Sequence, residues 1–321
     1  MDVSKTNPAP LPPDEDLTEV RKPASLLIAQ FFLFPLIIIG ICVGIFLLFG
    51  YLTYEQRTIS ENLDEVRFGS GTQRWQAAWE LSNAVKGNPE KARSPEFLDS
   101  LLTAFKSSPD EDVAVRGYLA LIFGELKARP AVPLLVEELT RSEKLKTTDW
   151  SQKSWSGFLR PSLAQIAEDL AKQQISTLYA LGSIGDNSAV PGVLEQTKNQ
   201  DPSIRKIAAY VLGFLGDPQA GGGLRPLLND PHEDVRINAA LALATLGDGE
   251  GAELLVKLLD SQYVDSLQDF SAEQKAALRV NAVRALAKLK HEPAREMIKR
   301  LSERDPVPAV QSAALEALNN F

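Results

Sequence analysis

The chain has 321 residues, 44% hydrophobic and 24% charged, the composition of a folded protein with ample core. Its formal net charge is −8, and from residue 55 onward 31 basic residues face 37 acidic ones with no long basic stripe, which excludes nucleic acid as a partner class. A single cysteine, Cys42, rules out an internal disulfide and leaves the redox compartment open.

Residues 1–24 hold Pro8, Pro10, Pro12, Pro13 and Pro23 with the acidic run Asp14-Glu15-Asp16 and show no helical or strand period, which predicts a disordered tail. Residues 26–52 then carry no charge, and Gln30 is their only strongly polar side chain. A helix of that length spans roughly 40 Å, more than the ~30 Å hydrocarbon core, so a transmembrane helix within residues 25–54, tilted or kinked near Pro35, is expected. Phe31, Phe32 and Phe34 at one end and Phe49, Tyr51 and Tyr54 at the other suit interfacial belts. Arg21 and Lys22 precede the segment, whereas Arg57 beyond it is flanked by Glu55 and Glu61. The expected localisation is therefore a single-pass protein of a bacterial inner membrane, tail in the cytoplasm and the rest outside. Gly40 and Gly44 form a small-xxx-small pair that would serve a homodimer.

Residues 55–71 are polar and end in Gly69-Ser70-Gly71, which reads as a juxtamembrane segment and linker. From 72 to 321 the apolar period is helical throughout and strand patterns are missing, so an all-α domain is expected. Trp75 and Trp79 lie four apart on its first helix, where they are expected to cap the open end of the core.

The domain repeats itself. Asp201-Pro-Ser-Ile-Arg-Lys-Ile-Ala-Ala aligns with Asp230-Pro-His-Glu-Asp-Val-Arg-Ile-Asn-Ala-Ala, with Arg205 on Arg236 and Gly216-Asp217 on Gly247-Asp248, at a spacing of 31 residues. A fixed period of this kind means a solenoid. Within one unit, Asp230, Pro231 and Glu233 are the start of a helix, Val235, Ala239, Leu243 and Leu246 its buried stripe, and Gly247 its left-handed end. The arginine position recurs as Arg74, Arg116, Gln174, Arg205, Arg236, Arg279 and Gln311. These residues resemble the short HEAT-like repeats, of the type also found in the bilin lyases. The resemblance implies a right-handed α-solenoid of about seven helical hairpins, in which Arg116, Arg205, Arg236 and Arg279 form a structural ladder with aspartates such as Asp217 and Asp248.

Two insertions interrupt the period, at about 141–173 and 260–272. The first holds Trp150, Trp155, Phe158 and Arg160 among lysines, followed by a helical stretch at 161–171. Aromatics mixed with basic residues suit a protein-binding surface, and a plug for a gap in the stack is the competing reading. The second carries Tyr263 and Phe270. Only His232 and His291 are present, each followed by glutamate but outside the helical register where the HEAT-like deoxyhypusine hydroxylases carry such pairs; no phosphate loop, nucleophile elbow or zinc spacing appears, and no cofactor is expected. The expected function is a non-catalytic, membrane-anchored scaffold or adaptor that binds a protein partner through its concave face and the first insertion, in contact with the bilayer through residues 26–52. An enzyme or cofactor-handling protein of the HEAT-like lyase kind is the alternative.

Overall fold

A computed structural model describes residues 32–53, 57–148 and 162–321. The chain divides into two compact units, Met1–Gln56 and Arg57–Phe321. In the first, α1 (Phe34–Thr53) carries apolar side chains that are exposed, Phe46 by 77%. A Cβ at Gly40 or Gly44 would meet nothing within 4 Å. The expected single membrane crossing and inner-membrane localisation are corrected here, because among the described residues no helix is long and apolar enough to cross a membrane. Among the described residues α-geometry begins at Phe34, and Pro35, with no N–H to give, stands in the first turn.

The second unit contains no strand among its described residues. Residues read as a linker form α2 (Ile59–Phe68), started by a capping box in which the Glu61 amide donates to Thr58 Oγ1 at 3.2 Å and the Thr58 amide donates to Glu61 at 2.7 Å. Leu63 and Val66 of α2 are buried against α3 (Gly71–Gly87). They close the end of the core that Trp75 and Trp79 were expected to cap. Those tryptophans are instead 45% and 47% exposed.

After α3 the helices follow as α4 (Pro95–Ser107), α5 (Val113–Glu125), α6 (Val132–Lys146), α7 (Leu163–Ile184), α8 (Val190–Gln196), α9 (Pro202–Leu215), α10 (Gly221–Leu224), α11 (Glu233–Thr245), α12 (Ala252–Lys257), α13 (Ser261–Ser266), α14 (Ala272–Lys288), α15 (Arg295–Arg304) and α16 (Pro308–Leu318). Among the described residues, seven of these carry the arginine register, and they stack on one another in chain order: α3, α5, α7, α9, α11, α14 and α16. The shorter helices between them form a second row. This is an α-solenoid, in which each helix buries its stripe only by having neighbours.

Local chemistry explains the boundaries. Pro202 follows the Asp201 cap of α9, and Gly216 and Gly247 take φ of +72° and +82° where the register helices α9 and α11 end, a conformation that costs a side-chain-bearing residue more than glycine. Helix α11 begins later than the Asp-Pro signal suggested, at Glu233, because the Asp230 carboxylate accepts from the His232 amide in a turn that precedes it. The helical stretch expected at 161–171 is, from Leu163 on, part of α7, which runs on through Gln174 and is 22 residues long. Residues 149–161, with Trp150, Trp155, Phe158 and Arg160, lie outside the described residues, as does the tail at 1–24. In the second insertion, Tyr263 on α13 donates its hydroxyl to Glu233, and burial together with that bond pushes the phenol up to about 12.

Candidate functional site

The arginine position sets a frame on each register helix. Arg205 gives a two-pronged bond to Asp230 (Nε to Oδ2 2.7 Å, Nη2 to Oδ1 3.0 Å) and donates from Nη1 to the carbonyls of Asn199 and Gln200 at 2.8 and 2.9 Å. Arg236 repeats the carbonyl bonds, to Asp230 and Pro231 at 2.8 and 3.1 Å. Arg116 reaches Glu138 and the carbonyls of Phe105 and Ser108, while Arg279 reaches Asp305 and Arg74 reaches Asp112. The partners of Arg74, Arg116, Arg205 and Arg279 are acids of the following turn or helix, and Arg236 pairs with Glu233 of its own helix; none is Asp217 or Asp248. Asp217 accepts from the Gln219 amide, and Asp248 from the Glu250 amide and from Arg225.

With the arginine side chains committed to these bonds, the solvent-facing side of the register helices is decided by the residue five positions later. In order it is Trp79, Leu121, Tyr179, Tyr210, Leu241, Arg284 and Glu316. Trp79, Leu121, Tyr179 and Tyr210 are 37% to 50% exposed, at positions where a helix surface is ordinarily polar. The series is continuous in space over its described second half. The rings of Tyr179 and Tyr210 meet edge to face at 6.3 Å, Tyr210, Leu241 and Arg284 line one cavity, and Arg284 lies 3.7 Å from Glu316. Trp75 meets Tyr118 of the next register helix at 6.5 Å in the same way.

The cavity lies between α9, α11 and α14 and measures about 460 Å³. Tyr210, Phe214, Leu241 and Leu278 make its apolar walls, Asn238 and Asn281 place amides at equivalent positions of adjacent helices, and Arg284 and Lys288 stand at one edge. Asn238 donates to the Asp234 carbonyl at 2.8 Å, and Lys288 rests on the Thr245 carbonyl at 2.7 Å. A second, smaller hollow of about 140 Å³ at the other end is lined by Trp75, Glu111, Asp112 and Asp169. Burial pulls the Asp112 carboxyl above its ordinary value despite Arg74 beside it. Among the described residues no three His, Cys, Asp or Glu side chains are grouped as metal ligands. The two histidines stand apart from any such set, His232 as the residue before α11 and His291 in the turn before α15.

Residues 235–261, from α11 through α12, match the family model of the PBS lyase HEAT-like repeat. That one unit is HEAT-like. No curated protein sequence matches the chain. Among solved structures, the complex of CpcE and CpcF of phycocyanin lyase from Nostoc sp. PCC7120 is similar at 19% identity and a TM-score of 0.49, covering 83% of this chain and 88% of that one. A HEAT-like repeats protein from the archaeon Thermococcus onnurineus NA1 gives 14% identity and a TM-score of 0.40, covering 82% and 97%. Human deoxyhypusine hydroxylase gives 13% and 0.29, covering 85% and 98%. Likeness at these levels does not reach activity, and the exposed row and its cavity rest on this chain's own residues.

Proposed function

We propose that the protein is a non-catalytic scaffold or adaptor whose HEAT-like register helices bind a protein partner. The observation that carries this reading is the row Trp79, Leu121, Tyr179 and Tyr210, large apolar side chains held at one register on successive helices and exposed. A helix row gains nothing in folding from such residues, whereas rigid aromatics lose little conformational entropy when a partner covers them. The insertion residues Trp150, Trp155, Phe158 and Arg160 belong to the same proposal as a second contact.

The test is crosslinking of the full chain in its native source, with the captured partner quantified. The pair Trp79→Ser and Tyr179→Ser should cut capture at least tenfold while the melting temperature moves by only a few degrees, since truncating a central interface aromatic costs ~2 kcal/mol or more. Unchanged capture would remove the row from the function. The pair Trp150→Ala and Trp155→Ala should likewise weaken capture and spare the melting temperature; a melting temperature many degrees lower would make those aromatics a plug of the stack. The match of residues 235–261 to a lyase repeat favours a second reading, a lyase-related handling of a chromophore. An absorbance spectrum of the purified chain incubated with a linear tetrapyrrole tests it, with a shifted and covalently retained band as the supporting result.

A further inference from the structure

The cavity between α9, α11 and α14 differs from the rest of the row in charge. Along the row the register position five after the arginine changes from Tyr210 and Leu241 to Arg284, and the position nine after it changes from Phe214 and Thr245 to Lys288. Both changes fall on α14, so two cations stand side by side at one edge of an otherwise neutral cavity. The chain as a whole carries a net charge of −8, yet no carboxylate lines this cavity. Arg284 contacts Glu316 at 3.7 Å, between side chains that are each more than 60% exposed, a pair too solvated to hold either in place.

Resting on the protein-binding reading above, we propose that this cavity takes a short acidic segment of the partner protein, an aromatic or leucine side chain seated between Tyr210, Leu241 and Leu278 and carboxylates of adjacent residues at Arg284 and Lys288. The dimensions agree. A volume of about 460 Å³ accommodates one large side chain with the backbone that carries it. Stacked helices lie ~8 to 10 Å apart and an extended chain advances ~3.3 to 3.6 Å per residue, so a segment crossing the row moves from one helix to the next in about three residues. Asn238 and Asn281, at matching positions two after the arginine on α11 and α14, are then spaced to bond peptide groups about three residues apart on that segment. The row supplies apolar contact, and the cations set the composition and direction of what lies in it.

Fluorescence anisotropy of the full chain with three labelled dodecapeptides tests this: one phenylalanine followed by glutamates, the same peptide with lysines for glutamates, and the glutamate peptide with serine for phenylalanine. The first should bind at least tenfold more tightly than either of the others, and its affinity should fall as salt is raised. The double variant Arg284→Glu and Lys288→Glu should abolish the preference for glutamates, and Arg284→Gln with Lys288→Gln should reduce it, both at unchanged helical content. Equal binding of the acidic and basic peptides, or a preference that survives both double variants, overturns the proposal. If the peptides fail while partner capture still depends on Trp79 and Tyr179, the acidic-segment assignment is wrong and the binding row stands; if capture is also indifferent to Trp79 and Tyr179, the row itself fails.

Discussion

Asp230 receives three donors, two from the Arg205 guanidinium and one from the His232 amide. Burial raises its pKa, and the Arg205 bonds with the His232 amide outweigh that, so the carboxyl sits below its ordinary 3.8. A carboxylate depressed in this way contributes stability that is complete above the unfolded value and is lost as pH falls through the folded one. The melting temperature of the full chain should therefore fall below about pH 4. Asp230→Asn should melt lower at pH 7 but fall less steeply in acid; identical acid slopes would assign that loss elsewhere. Removing Arg205 as Arg205→Ala leaves a carboxylate only 5% exposed without its partner, a change expected to cost ~3 kcal/mol at neutral pH, the lower end for a broken buried pair. The recurring arginine was legible in the sequence because it repeats, but its partners were not. Asp217 and Asp248 are nearer to the motif in sequence, yet Asp217 accepts from the Gln219 amide and Asp248 from the Glu250 amide and Arg225, while Arg205 reaches Asp230 instead. Gln174 shows the converse. Helix α7 starts eleven residues earlier, so no loop carbonyls await a guanidinium there, and the amide donates instead to Glu143 at 2.5 Å.

Register helices approach one another through glycine. A Cβ on Gly124 would lie 2.8 Å from Ala180 Cα, and one on Gly213 equally 2.8 Å from Ala242 Cα, both backbone atoms that cannot turn aside. On Gly182 the nearest atom is Val211 Cγ2 at 3.3 Å, the end of a side chain. These positions sit eight after the arginine on α5, α7 and α9, so a single register rule sets the spacing of the stack. Alanine gains ~1 kcal/mol of helix propensity over glycine, against ~1 to 3 kcal/mol for overpacking. Gly213→Ala and Gly124→Ala should therefore lower stability in denaturant melts, while Gly182→Ala should be near neutral; equal effects at all three would show that the close approach is not what limits them. The stacking helices were legible from their period, including all seven register positions. Helix α2 was not, because its polar length and the Gly69-Ser70-Gly71 ending resemble a linker, and only the burial of Leu63 and Val66 shows it as the end cap. The exposed row was present in the sequence as a column five after the arginine, but an amphipathic reading assigns tyrosine and leucine to the core and so passes over Tyr179 and Tyr210.

At the scale of the whole solenoid, the buried side chains fall into two main clusters that share α11. Val235, Ala239, Ala242 and Leu243 belong to the cluster reaching back to Leu63, whereas Ile237, Ala240 and Ala244 belong to the one running on to Ala317. The second is the smaller and is rich in alanine, which buries less area per residue, so α14 to α16 have less to lose on opening. In a solenoid each helix is stabilised by its nearest neighbours, and units open with separate free energies. Native-state hydrogen exchange should accordingly show amides of α14 and α16 opening more readily than those of α5 and α7. The cavity is lined from both clusters, by Ala242 of the first and by Leu241 and Leu278, which pack against the second. An occupant therefore contacts the folded arrangement of both and neither cluster alone. At a hundredfold excess over its dissociation constant a ligand of that kind stabilises the closed form by ~2.7 kcal/mol. The glutamate peptide should slow exchange in α14 and α16 by up to about a hundredfold and leave α5 unchanged. Slowing confined to α9, or spread evenly along the stack, would place the peptide somewhere other than the junction of the two clusters.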